Sequence, residues 1–239
     1  MIVNVRDYKQ EEGGTIGVAV ELFQRSHYDD AQLDLLCKLL DMRREVHGDG
    51  VFVIDGGANI GTYTLLMARM MATWGSVIAF EPQERLFYAL AGNIVINNCA
   101  NAKAVWGAVG HTIGTVKIPV IDYNKPGNFG GVSLVNPQGP CEDVAIYQLD
   151  QFNFKRVDML KLDVEGMELD ALNGAKLTIE RCKPIICAEH IICGAEKLTE
   201  CLEVFGYAVQ MTGMNILGLH KDDPVGKRIR WYDSQAEAA

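Results

Sequence analysis

Carboxylates stand at the ends of four short apolar runs in this chain, where a side chain can meet a ligand at the open edge of a parallel sheet. Asp55 follows Val51-Phe52-Val53-Ile54, Glu81 follows Val77-Ile78-Ala79-Phe80, Asp163 follows the run 157–162, and Glu189 follows the run 184–188. Gly56, Gly57, Ala58, Asn59, Ile60 and Gly61 come directly after Asp55 and lead into Thr62. Glycine in a strand-to-helix turn lets the backbone approach a bound molecule where a side chain would stand in the way. A carboxylate at the next strand end can accept hydrogen bonds from both hydroxyls of a ribose. These residues point to a nucleoside between Asp55 and Glu81, bordered by Gly56, Gly57, Asn59, Gly61, Thr62, Pro82 and Ala108. The plainer alternative is that Asp55 caps a helix and the glycines only form a turn.

The glycine spacing alone also fits a loose dinucleotide pattern, Gly56-x-Ala58-x-x-Gly61. Charge separates the two ligands. A dinucleotide places a pyrophosphate at the helix N-terminus, where Asp55 would repel it. S-adenosyl-L-methionine carries a sulfonium and an ammonium, and Asp55, Glu81 and Asp163 suit those cations.

Methyl transfer to a hydroxyl needs an oxygen placed in line and a group to accept its proton. Asp163 and Lys161, two residues apart on a strand, share one face and could form an ion pair. Whether Lys161 takes part in chemistry or only satisfies a buried carboxylate is open at this point. Glu165 could cap the next helix or meet the substrate, and Glu168 suits a helix N-terminus. His190 is a candidate base, its ordinary pKa lying near neutrality, although a lone histidine at a strand end often serves structure alone. Asp163, Glu165, Glu189 and His190 could instead hold a divalent cation, but their spacing does not require one, and no metal is predicted. His27, His47, His111 and His220 lie in no motif.

The elements that must position these residues alternate from Val51 onward. Strands are predicted over 51–54, 77–80, 104–109, 157–162 and 184–188, separated by helices over 61–72, 82–97, 168–172, 177–181 and 195–205. Such βαβ succession builds a right-handed parallel sheet. Residues 207–211 and 215–219 read as a terminal hairpin across Gly213. Pro82 is expected at the first position of its helix, where its missing N–H costs nothing. Ahead of this lie a helix over 30–47 and two short strands, 2–5 and 16–20, joined through Glu12-Gly13-Gly14. The insert 110–150 carries one strand, 115–120, and many turn residues. Its Asn124, Asn128, Ser133 and Asn136 would suit a hydroxyl-rich acceptor.

A net charge of −9 argues against a nucleic-acid partner, and the basic cluster Lys227, Arg228 and Arg230 reads as a solvated tail. Seven cysteines without a Cys-x-x-Cys pair fit a reducing cytoplasm; Cys182, Cys187 and Cys193 read as small buried hydrophobes. No apolar run approaches the roughly 20 residues of a membrane span, and the charged N-terminus is unlike a signal peptide. A cytoplasmic protein is expected.

The stretch from Val53 to Thr64, with Asp55, Gly57, Ala58, Asn59, Ile60 and Gly61, resembles the first motif of FkbM-type S-adenosylmethionine-dependent methyltransferases. Phe80-Glu81-Pro82 is similar to the family's second motif. Lys161-Leu162-Asp163-Val164-Glu165-Gly166-Met167-Glu168, followed by Leu172-Asn173-Gly174-Ala175, resembles its K-x-D-V-E-G-x-E hallmark. Asn128-Phe129-Gly130-Gly131-Val132-Ser133-Leu134 and Ala188-Glu189-His190 are similar to further family segments. Gly56 departs from the family, which more often has an apolar residue there. The resemblance spans residues 50–220.

It implies an α/β, Rossmann-like, doubly wound seven-stranded sheet, mostly parallel with an antiparallel last strand, and helices on both faces. The implied organisation is an N-terminal extension over 1–48, a methyltransferase domain over 49–221 and a tail over 222–239. It also implies O-methylation of a small hydroxylated acceptor, a glycan or natural product, and leaves a homo-oligomer open. The alternatives are a non-catalytic nucleoside-binding module and an NAD-dependent oxidoreductase, although no hydride-transfer site is evident after the fourth strand.

Overall fold

The apolar runs that lack polar alternation form the middle of a seven-stranded sheet, as expected for strands covered on both faces. The structure, a computed structural model, describes residues 1–12, 14–25, 28–135 and 137–229. The central strands are β3 (Val51–Gly56), β4 (Gly75–Glu81), β5 (Ala102–Trp106), β9 (Met159–Leu162), β10 (Ile185–Glu189), β11 (Tyr207–Thr212) and β12 (Asn215–His220). Their order is β11-β12-β10-β9-β3-β4-β5. All neighbours pair in parallel except β12, which runs antiparallel to both β10 and β11. The last strand therefore inserts antiparallel into the sheet, as the resemblance implies.

Successive residues serve opposite faces. Val51 and Val53 pack with Leu36 and Leu40 of α2 (Asp30–His47), Met67 of α3 (Thr62–Met70) and Met71 just after it. Ile54 packs with Leu160, Leu172, Ile179 and Leu198, served by α5 (Glu168–Asn173), α6 (Lys176–Cys182) and α7 (Ala195–Val204). The chain leaves β3 toward β4 and β5, then returns to the other side of β3 as β9. That reversal opens a crevice at the carboxyl ends of β3 and β9, where open α/β sheets bind ligands.

Several boundaries differ from the sequence reading. The N-terminal hairpin pairs β1 (Lys9–Glu11) with β2 (Gly14–Ile16), so its turn falls where expected but its strands hug that turn. Residues 2–5 form no strand; Ile2 is instead held by its backbone on the Asn93 side chain. Residues 18–20 begin helix α1 (Val18–Arg25). Pro82 stands ahead of α4 (Glu84–Ile96), because Gln83 N–H is drawn back onto the Glu81 carboxylate and the helix starts after it.

The predicted strand 104–109 is broken at Gly107 (φ 154°), where a Cβ would meet the Tyr147 ring and the Ala145 carbonyl. Beyond that break β6 (Ala108–Val109) leaves the main sheet and joins β7 (Gly114–Pro119) and β8 (Cys141–Tyr147) in the order β6-β8-β7. The insert thus contributes two strands to a second small sheet. Residues 222–229 are no free tail: Asp223 forms a buried ion pair with Arg43 of α2 at 3.0 Å, and Val225 is fully buried. A buried guanidinium needs such a partner. Arg230, with the rest of 230–239, and His27 lie outside the described residues. Among the described residues no helix is long and apolar enough to cross a membrane.

Candidate active site

The turn after β3 folds over the end of β4, with the Gly57 and Ala58 N–H groups both donating to the Phe80 carbonyl at 3.0 and 2.9 Å. Gly57 has a φ of 74°, and a Cβ there would run into the Asp163 carbonyl. Only glycine fits. Asn59 follows with a φ of 51°, a conformation asparagine tolerates. Its N–H donates to Glu81 Oε2 at 2.8 Å, while Gln83 N–H donates to Oε1 at 2.9 Å. Glu81 is buried at the wall of the cleft. Burial pushes its carboxyl up to about 7, against the pull of those two N–H groups.

Asp55 sits below this layer. It has no exposed surface; its Oδ2 accepts the Thr64 hydroxyl at 2.6 Å, and its Oδ1 lies 3.2 Å from Lys161 Nζ. It cannot reach a ligand, and instead helps fix a buried cation. Lys161 pairs with Asp55 across the β3–β9 register, lies 3.7 Å from Asp163 Oδ2, and rests 4.7 Å over the Tyr63 ring. Burial alone would lower its pKa, but the two carboxylates outweigh it and hold the ammonium charged. The ion pair predicted from the strand spacing is present, and its nearer partner is Asp55.

Asp163 opens the turn that carries Glu165 into the cleft. Glu165 has a φ of 53°, an uncommon left-handed conformation for a side-chain-bearing residue. The turn is held by Glu168, whose Oε1 accepts the N–H groups of Val164 and Gly166 at 3.0 and 3.3 Å. Capping therefore falls to Glu168 and leaves Glu165 facing the cleft. Glu189, at the end of β10, completes a group in which Asp163, Glu165 and Glu189 each place an oxygen within 4.8 Å of the others. Burial first, then the surrounding carboxylates, push Glu165 up to about 8 and Glu189 to about 7.

His190 does not join them. Its Nε2 lies 3.1 Å from the Gly213 carbonyl at the hairpin turn, and it is not among the residues lining the cleft. Alternation along β10 sends Glu189 and His190 to opposite sides. Of the residues expected at a nucleoside, Gly57, Asn59, Glu81, Pro82, Ala108 and Asp163 line the cleft, whereas Asp55, Gly56, Gly61 and Thr62 lie behind it. Gly56 is pressed against Leu162 and Val109, and Gly61 (φ 93°) precedes α3 against Leu90.

The cleft occupies about 520 Å³. Part of its wall was not legible in the sequence: Val18 and Tyr28 come from the N-terminal segment, and Gln83 also borders it, while Asn128 of the insert, expected near an acceptor, lines it beside Gly130. Asp7 ties these parts together, its buried carboxylate accepting Ala19 N–H at 3.2 Å and Phe129 N–H at 2.9 Å. Gln83 adds a 2.7 Å bond to the Phe129 carbonyl. The acidic lining is Glu11, Glu21, Glu81, Asp163, Glu165 and Glu189, and no lysine, arginine or histidine lines the cleft among the described residues.

A twisted parallel sheet with an inserted antiparallel strand, and an acidic cleft at its switch point, define a Rossmann-like fold of the kind found in methyltransferases. A model of the methyltransferase FkbM domain matches residues 55–204, more than half of the chain, and the chain belongs to that family. It is 28% identical over 148 residues to Methyltransferase 1 of Beauveria bassiana, a match covering 53% of this chain and 59% of that one. It is 27% identical over 163 residues to Methyltransferase sdnD of Sordaria araneosa, covering 52% and 60%. The chain thus spans about three fifths of the length of these curated relatives. Among solved structures, the methyltransferase FkbM from Methylobacillus flagellatus KT is similar, with a TM-score of 0.53 at 16% identity over 72% of this chain and 44% of that one. A methyltransferase from Geobacter sulfurreducens gives 0.50 at 13% identity over 83% and 85%. At these identities the structural likeness concerns the fold.

Proposed function

We propose that this protein is an S-adenosylmethionine-dependent methyltransferase that modifies a hydroxyl of a small acceptor, a glycan or natural product, with Glu165 accepting the hydroxyl proton. The observation that carries this reading is a cleft lined by six carboxylates and, among the described residues, no lysine, arginine or histidine, built on a turn that only glycine can make at position 57. The two cationic groups of the methyl donor suit that lining; a pyrophosphate does not. Each Glu81 oxygen accepts one backbone N–H and keeps a lone pair for a ribose hydroxyl. Gly57, Asn59, Pro82, Gln83 and Ala108 would border the nucleoside, and Asp163 the charged end. When bound, this cofactor supplies a methyl carbon on a cationic sulfur that departs as a neutral thioether.

The chain supplies position and proton transfer. Lys161, clamped by Asp55, holds Asp163 in place and acts as a positioning residue. Glu165 has the most raised carboxyl of the cluster, at about 8, so its carboxylate is the strongest base of the three and becomes the major form only as pH rises through 8. One of its oxygens takes the proton from the acceptor hydroxyl, leaving the acceptor oxygen its electron pair. The N-terminal segment and the insert, joined at Asp7, both line the cleft.

The reading is tested by incubating the protein with S-adenosylmethionine and a panel of sugars and aromatic alcohols, measuring release of S-adenosylhomocysteine. Glu165→Gln is expected to lower turnover by about 10²–10⁴-fold, the usual contribution of a general base, while cofactor affinity stays within about threefold. Undiminished turnover in this variant would remove Glu165 from the role.

A further inference from the structure

The mouth of the cleft beyond Glu165 and Glu189 is apolar, and it is built from three separate segments. The insert contributes Val132 and Leu134, the loop after β10 contributes Ile191 and Ile192, and the β11–β12 turn contributes Met214. Backbone bonds fasten these segments to the acidic cluster: Leu134 N–H donates to the Glu165 carbonyl, and His190 N–H donates to the Met214 carbonyl, both at 3.1 Å. Gly166 is wedged at their junction, where a Cβ would lie 2.7 Å from Val135 and 2.8 Å from Ile192. Ile191 and Met214 remain 58% and 56% exposed. Single exposed apolar residues are ordinary, but a contiguous group at the rim of a cleft marks a binding surface.

The insert brings few polar side chains to this wall. Ser133 does not line the cleft and its Oγ accepts the Val135 N–H at 3.2 Å, while Asn128 Oδ1 accepts the Gly131 N–H at 3.3 Å and leaves only its amide N–H groups to a ligand. Asn124 does not line this cleft, and Asn136 lies outside the described residues. A hydroxyl-rich acceptor pressed against this wall would lose hydration with few replacement bonds. An anionic acceptor would meet the six carboxylates with no lysine, arginine or histidine beside them among the described residues.

We infer that the acceptor is an uncharged alcohol or phenol with an apolar body, seated on the wall of Leu134, Ile191, Ile192 and Met214 with its hydroxyl toward Glu165. This rests on the proposed methyl-transfer reading of the same cleft and narrows its acceptor. The apolar body gives up water contact on binding, and the hydroxyl alone retains a polar partner.

The test uses three probes titrated into the protein saturated with S-adenosylhomocysteine: 2-naphthol, methyl α-glucoside and 6-hydroxy-2-naphthoate. 2-Naphthol is expected to bind more tightly than the glucoside by on the order of tenfold or more, the scale set by burying an aromatic ring, and more tightly than the naphthoate, which carries the same ring but adds a carboxylate that the acidic lining repels. Ile192→Asn, a change at a partly exposed position, is expected to weaken 2-naphthol several-fold and leave the nucleoside unaffected. Equal or tighter binding of the glucoside or the naphthoate, no binding of 2-naphthol, or indifference to the Ile192 change would overturn the inference. Nucleoside binding is read first and separately. Its failure strikes the cofactor reading, while 2-naphthol titrated into the free protein still reports on the wall.

Discussion

Glu165 combines a left-handed backbone, in the turn that Glu168 holds, with a carboxyl that burial and then the surrounding carboxylates push up to about 8. Because its pKa, like that of Glu189, is raised on folding from a usual 4.5, the folded chain holds protons that the unfolded chain releases. The stability this contributes is complete below about pH 4.5 and is lost as pH rises toward 8. Thermal unfolding of the unliganded protein is therefore expected to shift to lower temperature between pH 5 and pH 8, and Glu165→Gln to flatten that slope; an unchanged slope would contradict the assignment. Lys161 gives a second prediction. Lys161→Met leaves the buried Asp55 carboxylate unpaired and is expected to cost about 3–5 kcal/mol in denaturant unfolding, with Asp55→Asn in the same chain restoring part of the loss. At this scale the sequence exposed Glu81, Asp163 and Glu165 because strand ends are legible from apolar runs. It misplaced Asp55, whose pairing with Lys161 across two strands carries no local signal, and offered His190 where the neighbouring Glu189 faces the cleft.

The turn 55–61 and the break at Gly107 decide how the elements meet. Gly57→Ala forces a Cβ onto the Asp163 carbonyl at a positive φ, so loss of nucleoside binding together with a lowered unfolding midpoint is expected. The N-terminal segment and the insert meet at Arg6 and Asp7: Gly127 N–H donates to the Arg6 carbonyl at 3.1 Å, the Arg6 guanidinium donates to the Asn124 carbonyl at 2.8 Å, and the buried Asp7 carboxylate bridges Ala19 and Phe129. Asp7→Ala should raise amide exchange at both Ala19 and Phe129, the two N–H groups it accepts, with β3 and β9 unaffected. Exchange rising on only one side would disprove the coupling. The parallel strands were legible because strands buried on both faces are continuous apolar runs. The strand β8 was not, since Glu142 and Asp143 are both exposed at its start, which breaks the alternation, and turn residues precede it. The chain's departure from the sheet at β6 depends on Gly107 meeting Tyr147, a contact 40 residues away in sequence.

At the scale of the molecule, family membership and fold agree, and the excess of acid in the cleft agrees with a net charge of −9. Alternating helices and strands made the parallel sheet and the terminal hairpin legible, whereas the seven-stranded sheet with its antiparallel last strand was implied by the family resemblance. The junction of the N-terminal segment with the insert was not legible, because the Asp7 carboxylate there joins residues 19 and 129. The central claim is that this acidic cleft holds a cationic methyl donor. Calorimetric titration with S-adenosylmethionine, S-adenosylhomocysteine and NAD tests it directly. The account predicts one-site binding of the first two, lost in Glu81→Ala, and no comparable heat with NAD; tight binding of NAD with no response to the other two would contradict it.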